Sequence, residues 1–126
     1  MAAECRVVLA DDMLDFRLLM RLQLKRDNRF DVVGEAGDGA EAVKIVETER
    51  PDVVLLDLAM PVMDGLQAIP EIRKRSPGTK IIVLSGFEEA HMAESVRTLG
   101  ADAYIQKSGS FSGLIATIED LCQVPA

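Results

Sequence analysis

Cysteine is scarce in this sequence, and its spacing argues against two common ways of stabilising a small fold. Only two of the 126 residues are cysteine, Cys5 and Cys122. They lack metal-ligand spacing and are too few for a disulfide framework, so we interpret both as reduced thiols. A domain of this length buries enough surface to fold without a disulfide or a structural metal.

Positive charge and long hydrophobic runs are also scarce. Lys and Arg total 14 against 21 Asp and Glu, which gives a net charge of −7. Binding to nucleic acid or to an anionic membrane needs a basic patch, so we expect neither from this domain. The longest apolar runs are broken by Asp57 or Asp64, too early to span a bilayer. The first predicted strand begins by Cys5, which leaves no room for a signal peptide, and we expect a cytoplasmic protein.

Short runs of strand-forming residues alternate with longer stretches of helical period, which predicts βαβ units and a parallel sheet. The predicted strands are Cys5–Ala10, Phe30–Ala36, 52–57, Lys80–Ser85 and 102–106. The predicted helices are 13–26, 40–48, Gly65–Arg75, 88–99 and Phe111–Cys122. Val53–Leu56 and 81–84 are apolar without alternation, as expected of central strands that helices cover on both faces. The sequence therefore predicts one α/β domain over residues 1–126.

Chemically reactive side chains follow four of the predicted strands. They are Asp11 and Asp12, Asp57, Ser85 and Lys107. The carboxyl ends of parallel strands meet at one edge of the sheet, which is where open α/β folds bind ligands. We therefore expect three carboxylates, one hydroxyl and one ammonium group in a single crevice.

The three carboxylates predict a cation site. Two carboxylates about 4 Å apart repel by roughly 4 kcal/mol at an effective dielectric constant near 20. Protonation or a cation must relieve this repulsion, and ligands that are all oxygen suit Mg²⁺. The alternative is a capping pair, with Asp12 as the N-cap of the first helix. That alternative leaves Asp57 unexplained, so we favour a Mg²⁺ site.

The remaining groups are suited to an anion. The Lys107 ammonium can pair with a phosphoryl group or with the carboxylate that accepts one, although it can also simply balance the acidic charge. The Ser85 hydroxyl can donate to the same anion, or it can cap the following helix. Gly86 has no Cβ and leaves room for a bulky anion near the backbone.

Together these residues resemble the receiver domain of two-component response regulators, over residues 7 to about 121. The matching motifs are Asp11-Asp12, the run 51–57, Met60-Pro61-Val62-Met63-Asp64-Gly65, Ser85-Gly86, Leu99-Gly100-Ala101, Tyr104 and Lys107. The resemblance implies a flavodoxin-like α/β fold. This fold is a single doubly wound, five-stranded parallel sheet in the order 2-1-3-4-5, flanked by five helices.

The resemblance also implies a function for each site residue. Asp57 would accept a phosphoryl group from the phosphohistidine of a sensor histidine kinase or a phosphotransfer protein. Mg²⁺ would be held by Asp12, Asp57 and the backbone carbonyl of Ala59, with Asp11 acting mainly through water. Lys107 and the metal would offset the charge that develops on the transferred group.

By the same resemblance, Ser85 and Tyr104 form a switch. Ser85 would donate a hydrogen bond to a phosphoryl oxygen, and Tyr104 would swing inward as Ser85 moves. The surface of the fourth helix, fifth strand and fifth helix would then change and control a downstream protein or a fused output domain. We expect a monomer when unphosphorylated, because the fourth helix lacks a dense charge pattern. We do not expect an enzyme, since the domain would assist only its own phosphorylation and dephosphorylation.

Two positions depart from the family pattern. Ser108 stands where many members have a cis proline, so the loop after Lys107 is expected to differ in shape. Phe87 stands where the family tunes the lifetime of the phosphoryl group. A large apolar ring at that position predicts slow loss of phosphate.

The first predicted helix is apolar on two faces. The residues predicted to face the core are Phe16, Leu19, Met20 and Leu24. Three more leucines, Leu14, Leu18 and Leu22, fall on roughly the opposite face. This helix docks against the kinase in the family, so we interpret these three leucines as a partner-binding stripe. The alternative is a set of unrelated surface leucines.

Other functions fit the sequence less well. A Mg²⁺-dependent phosphohydrolase of the haloacid dehalogenase type commonly has a second acid two residues after its nucleophile, where this chain has Ala59. A flavodoxin-like electron carrier needs a phosphate-binding loop after the first strand, where Asp11 and Asp12 would repel phosphate. A phosphorylation-independent pseudo-receiver would not need the intact acceptor, acidic pair and lysine.

Two smaller features have ordinary interpretations. Gly37-x-Gly39-x-x-Ala42 matches the dinucleotide-binding fingerprint, but Asp38 places a carboxylate where pyrophosphate would lie. His91 is interpreted as an exposed helical residue and not as a phosphohistidine donor.

Overall fold

The structure, a computed structural model, describes residues 4–86 and 89–124. Five strands alternate with five helices in these residues. In chain order they are β1 (Cys5–Ala10), α1 (Leu14–Lys25), β2 (Phe30–Ala36), α2 (Gly39–Glu49), β3 (Val53–Leu56), α3 (Gly65–Arg75), β4 (Lys80–Ser85), α4 (Glu89–Leu99), β5 (Ala103–Gln106) and α5 (Phe111–Cys122). The alternation predicted from the sequence is confirmed, with differences of one residue at some ends.

The strands form one parallel sheet in the order β2-β1-β3-β4-β5, as predicted. Successive residues of a strand point to opposite faces, and this alternation divides the core in two. Val54 and Leu56 of β3 pack in a cluster with residues of α2, α3 and α4. Val53 and Leu55 pack in the other cluster, with α1 and α5. Because helices cover both faces, the open edges are the places left for polar chemistry.

Helix α1 departs from the prediction at one position. Met20 and Leu24 are buried, and Phe16 packs against the same cluster, as expected for the core stripe. Leu19 was also predicted to face the core, but it is 50% exposed, so that prediction is wrong. Leu19 lies at the margin of the stripe, over a groove between α1 and α5 whose lining includes Phe111.

The loop between β3 and α3 is held against the start of α2. The Gly39 N–H donates to the Met63 carbonyl at 2.8 Å. In the same loop, Val62 has φ of 67°, a left-handed conformation that strains a β-branched residue. The Gly37-x-Gly39 stretch therefore contributes a close backbone contact. Asp38 caps α2 by accepting the Glu41 N–H at 2.8 Å.

Two further expectations concern local geometry and membranes. The described residues contain no cis peptide bond, as expected where serine stands at position 108. None of the helices in residues 4–86 and 89–124 combines the length and apolar character needed to cross a bilayer.

The close approach at Gly39 yields a stability test. A Cβ at Gly39 would lie 2.0 Å from the Met63 carbonyl oxygen, whereas a Cβ at Gly78 would meet no described atom within 4 Å. We expect Gly39→Ala to lower the free energy of unfolding by about 1–3 kcal/mol, because the loop must shift. Gly78→Ala is the control, and it should be neutral or stabilise by up to about 1 kcal/mol. Urea denaturation measures both, and equal midpoints would contradict the prediction.

Candidate functional site

The carboxyl ends of the strands bring the predicted groups to one edge of the sheet. Asp11 and Asp12 follow β1, Asp57 follows β3, Ser85 ends β4, and Lys107 follows β5. Backbone hydrogen bonds fix these positions, since the Asp57 N–H donates to the Ala10 carbonyl at 2.9 Å and the Lys107 N–H to the Ser85 carbonyl at 3.1 Å. The convergence is therefore a consequence of strand order and register.

The three carboxylates form a cluster at this edge. One carboxylate oxygen each from Asp11, Asp12 and Asp57 lie within 4.8 Å of one another. Asp11 and Asp57 are buried, whereas Asp12 is exposed. Oxygen donors alone, partly open to solvent, are the ligand set that suits Mg²⁺. The donor set therefore fits the expected metal ion.

The capping alternative for Asp12 is wrong. Helix α1 begins at Leu14 with Met13 at the N-cap position, and no described side chain caps it there. Asp11 instead uses one oxygen locally, because its Oδ1 accepts the Met13 N–H at 2.9 Å. Asp12 is therefore left facing the cluster without a structural function in the helix.

Lys107 supplies the positive charge of the site. Its Nζ lies 2.6 Å from Asp11 Oδ2 and 3.5 Å from Asp57 Oδ2. The same Nζ stands 4.5 Å from the centre of the Phe16 ring, within range of a cation–π interaction. The ammonium group is thus held between two buried acids and an aromatic face, and its shorter contact is with Asp11.

Burial and charge raise the pKa of Asp57 from 3.8 to about 6. Desolvation is the largest cause, because the buried carboxylate loses water, and repulsion from Asp11 adds to it. Lys107 and a hydrogen bond from the Ala59 backbone act in the opposite direction. The ionised form of Asp57 is therefore less favourable than that of an exposed aspartate. A bound cation would stabilise this ionised form.

The hydroxyl side of the site is more enclosed. Ser85 is fully buried at the end of β4. A Cβ at Gly86 would meet no described atom within 4 Å, so the space beside this glycine is open. Tyr104 is 4% exposed and packs in the cluster that contains Val83 and Val96. Its side chain therefore occupies the interior, between β5 and the helices of that face.

Arg17 is a site neighbour that the sequence interpretation missed. Its Nη1 donates to the Asp11 carbonyl at 2.7 Å and to the Ala36 carbonyl at 3.3 Å, while its Nε lies 3.3 Å from Glu35 Oε1. Arg17 thus ties the backbone after β1 to the end of β2. One signal was available, because Arg17 precedes Met20 by three positions and shares its sheet-facing side.

The remaining predicted positions lie away from the acidic cluster or outside the described residues. Leu14, Leu18 and Leu22 are 64%, 41% and 52% exposed along α1. Phe87 and the side chain of His91 fall outside the described residues, so the predictions made for them are unchanged.

The raised pKa of Asp57 makes the contribution of this residue to stability depend on pH. The folded chain binds the Asp57 proton more tightly than the unfolded chain, so the stability that Asp57 contributes is fully present below about pH 4 and is lost as the pH rises through about 6. An asparagine side chain in its place would carry no charge at any pH. In metal-free buffer at pH 7 we expect Asp57→Asn to raise the free energy of unfolding by roughly 3 kcal/mol, since one pKa unit is worth about 1.4 kcal/mol.

Urea denaturation with EDTA at pH 7 and below pH 4 measures this effect. The extra stability of Asp57→Asn over wild type should vanish at the lower pH. Adding Mg²⁺ at pH 7 should reduce this difference, because the ion stabilises the wild-type site. Asp31→Asn, at an exposed position of β2, is the control. A variant that is no more stable than wild type at pH 7 would contradict the prediction.

The sequence is similar to known signalling proteins. Residues 7–119 match the family model described as the response regulator receiver domain. The chain is 40% identical over 114 residues to the transcriptional regulatory protein PdtaR of Mycobacterium tuberculosis, covering 90% of this chain and 55% of PdtaR. It is 32% identical to the chemotaxis protein CheY of Listeria monocytogenes, covering 90% of this chain and 95% of CheY. The chain thus spans about half the length of the transcriptional regulators it matches.

The fold is similar as well. The signal receiver domain of the putative response regulator NarL from Mycobacterium tuberculosis superposes with a TM-score of 0.90 at 30% identity, covering 98% of this chain and 99% of that one. Receiver domains are signalling domains, not classical enzymes, and the family uses Mg²⁺ at an acidic pocket. With the order 2-1-3-4-5 and the acidic edge, the chain belongs to the response regulator receiver domains of two-component signalling.

Proposed function

We propose that this domain is a phosphorylation-activated switch in which Asp57 accepts a phosphoryl group from the phosphohistidine of a sensor histidine kinase or a phosphotransfer protein. The observation that carries the proposal is the placement of Asp57, buried beside Asp11 and 3.5 Å from the Lys107 ammonium. A nucleophilic carboxylate, a cation and a metal-binding cluster then share one crevice.

The transfer needs an ionised and well-positioned acceptor. With a pKa of about 6, Asp57 is mainly ionised at neutral pH. One of its oxygens would attack the phosphorus, and the bond from phosphorus to the donor imidazole nitrogen would break as the aspartyl phosphate forms. The backbone bond from the Asp57 N–H to the Ala10 carbonyl holds the acceptor in the sheet during this step. Positioning and charge stabilisation supply the catalysis.

Mg²⁺ would be held by Asp12, Asp57 and the backbone carbonyl of Ala59, with Asp11 acting mainly through water. When bound, the ion supplies positive charge to the transferred group and relieves the repulsion among the carboxylates. Lys107 starts closer to Asp11 than to Asp57. Its flexible ammonium would turn toward the phosphoryl oxygens as these bring new negative charge beside it.

Ser85 and Tyr104 would carry the signal away from the site. Ser85 would donate a hydrogen bond to a phosphoryl oxygen and would shift the end of β4. Tyr104 pairs with Val83 across β4 and β5, so a shift of β4 would reach the tyrosine through the strand next to it. The surface of α4, β5 and α5 would then control a downstream protein or a fused output domain. The length of PdtaR, about twice the matched region, supports a fused output.

Phosphoryl uptake tests the acceptor. Acetyl phosphate with Mg²⁺ should add one phosphoryl group to the intact protein, and Asp57→Asn should remove this uptake completely, because the acceptor oxygen is lost. Lys107→Ala should slow uptake by about 10²-fold or more, as a charge that stabilises the transition state is lost. Intact-mass spectrometry measures both, with Asp31→Asn as the control.

Three outcomes would contradict the proposal. Steady release of phosphate from outside substrates would indicate the haloacid dehalogenase type of phosphohydrolase. No uptake in the presence of Mg²⁺ would indicate a phosphorylation-independent binding module. Uptake that persists in Asp57→Asn would place the acceptor elsewhere.

The exposed leucines of α1 would form the surface that receives the kinase. Leu14, Leu18 and Leu22 lie along the exposed side of the helix, and Leu19 continues the apolar surface toward the groove between α1 and α5. The groove has a volume of about 150 Å³ and also borders Lys107. A partner helix seated there would bury apolar area and bring its phosphohistidine to the acidic edge.

The leucine stripe is tested by separating kinase docking from chemistry. Leu18→Glu should reduce the rate of phosphotransfer from the kinase at least tenfold, because a charge replaces apolar contact area. Uptake from acetyl phosphate should not change. Leu99→Glu is the control, since Leu99 is 38% exposed on α4 against 41% for Leu18. Unchanged kinase transfer in Leu18→Glu would rule out this surface.

A further inference from the structure

The segment between β1 and α1 carries two of the three carboxylates, on Asp11 and Asp12. It belongs to neither element, so its path depends on a few hydrogen bonds. The Asp11 N–H donates to the Ala36 carbonyl at 2.9 Å, and the Asp11 carbonyl accepts from Arg17 Nη1 at 2.7 Å. Because a peptide group is planar, a hydrogen bond that holds its oxygen also limits the directions in which the Asp12 side chain can point.

Arg17 is itself held in place on two sides. Its Nη1 also donates at 3.3 Å to the Ala36 carbonyl, the same oxygen that accepts the Asp11 N–H. Its Nε lies 3.3 Å from Glu35 Oε1, and Glu35 Oε2 accepts from Arg21 Nη1 at 2.8 Å. Only 18% of the Arg17 side chain is exposed, against 48% for Arg21. A carboxylate therefore orients the Arg17 guanidinium on one side, and the guanidinium fixes two backbone carbonyls on the other.

Charge and geometry predict opposite effects of Arg17 on cation binding. The guanidinium is always protonated, so its charge alone opposes the binding of a cation to the acidic cluster. Its hydrogen bond to the Asp11 carbonyl acts in the other direction, because ligands that are already in place lose less freedom when an ion binds. The ion pair with Glu35 offsets part of the opposing charge and leaves this hydrogen bond intact. Removal of the guanidinium therefore distinguishes the two effects by sign.

We propose that Arg17 is a positioning residue for the Mg²⁺ site, which fixes the peptide group between Asp11 and Asp12 so that both carboxylates face Asp57 before the ion binds. This inference rests on the Mg²⁺ site of the proposed function. Arg17 acts on the metal ligands through the backbone, since its contact is with the Asp11 carbonyl. Groups that orient metal ligands through hydrogen bonds typically change metal affinity by about 10–100-fold when they are removed.

Titration of the whole chain with Mg²⁺ tests the positioning. Isothermal titration calorimetry gives the dissociation constant, and urea denaturation in EDTA checks that each variant is folded. We expect Arg17→Met to raise the dissociation constant about tenfold or more, although this variant is one charge more negative than wild type. Arg21→Met is the matched control, because it removes the same charge from the same helix and from the same glutamate. Its dissociation constant should be equal to that of wild type or slightly lower.

A second variant retains the positive charge. Arg17→Lys lacks the planar fork that holds Glu35 and two carbonyls together, so it should bind Mg²⁺ more weakly than wild type for geometric reasons alone. This variant decides the question if Arg17→Met does not fold. Affinity equal to that of wild type would then overturn the proposal.

Phosphoryl uptake from acetyl phosphate separates positioning from a general structural defect. In Arg17→Met the Mg²⁺ concentration for half-maximal uptake should rise with the dissociation constant, whereas the rate at saturating Mg²⁺ should stay within about twofold of wild type. A dissociation constant for Arg17→Met that is unchanged or lower would overturn the positioning, whatever the uptake. A wild-type protein that binds Mg²⁺ but takes up no phosphoryl group would contradict the proposed function alone, because calorimetry does not depend on the transfer.

Discussion

Electrostatic repulsion among three carboxylates at the carboxyl edge of the sheet is the constraint on which the functional features of this domain depend. The backbone forces Asp11, Asp12 and Asp57 together, because each follows a strand in the same parallel sheet. Their mutual repulsion accounts for the position of Lys107, which pairs with Asp11 at 2.6 Å. It also accounts in part for the raised pKa of Asp57. Lys107 offsets only part of the negative charge of the three carboxylates, so the cluster still favours binding of a further cation.

The backbone of Asp57, the acceptor that we propose, is rigidly supported, so we expect the site to respond through its side chains. A Cβ at Gly65 would lie 2.4 Å from the Asp57 carbonyl oxygen, which shows how closely the start of α3 approaches the acceptor backbone. The adjoining turn is fixed by a capping box between Asp64 and Gln67. If Asp57 gains a phosphoryl group as proposed, we expect its new charge to be met by groups that can move, such as the Lys107 ammonium, more readily than by the strand that precedes Asp57.

The sequence was sufficient for the alternation of strands and helices and for the reactive edge, because both depend on local signals, whereas the sheet order came from the resemblance to the receiver family. Strand-forming runs end at Asp11, Asp57, Ser85 and Lys107, and parallel strands bring these ends together whatever the packing of the helices. Features that depend on packing were missed. The exposure of Leu19 depends on how closely α5 approaches α1, and the hydrogen bonds of Arg17 join α1 to the carbonyls of Asp11 and Ala36 at the ends of two strands. Neither feature follows from the sequence of α1 alone.

Helix α5 runs from the acidic edge of the sheet to the opposite edge. It begins just after Lys107, where Ser110 caps it by accepting the Gly113 N–H at 3.1 Å, and it ends at Cys122, which packs against the cluster that contains Cys5. At about 1.5 Å per residue, its 12 residues span roughly 18 Å, so a rigid helix relates events at both ends. Linkage then imposes a condition. If a partner bound at the far end of α5 changes the position of this helix, it must alter the equilibrium of the acidic site by the same free energy with which the proposed phosphorylation would alter the binding of that partner.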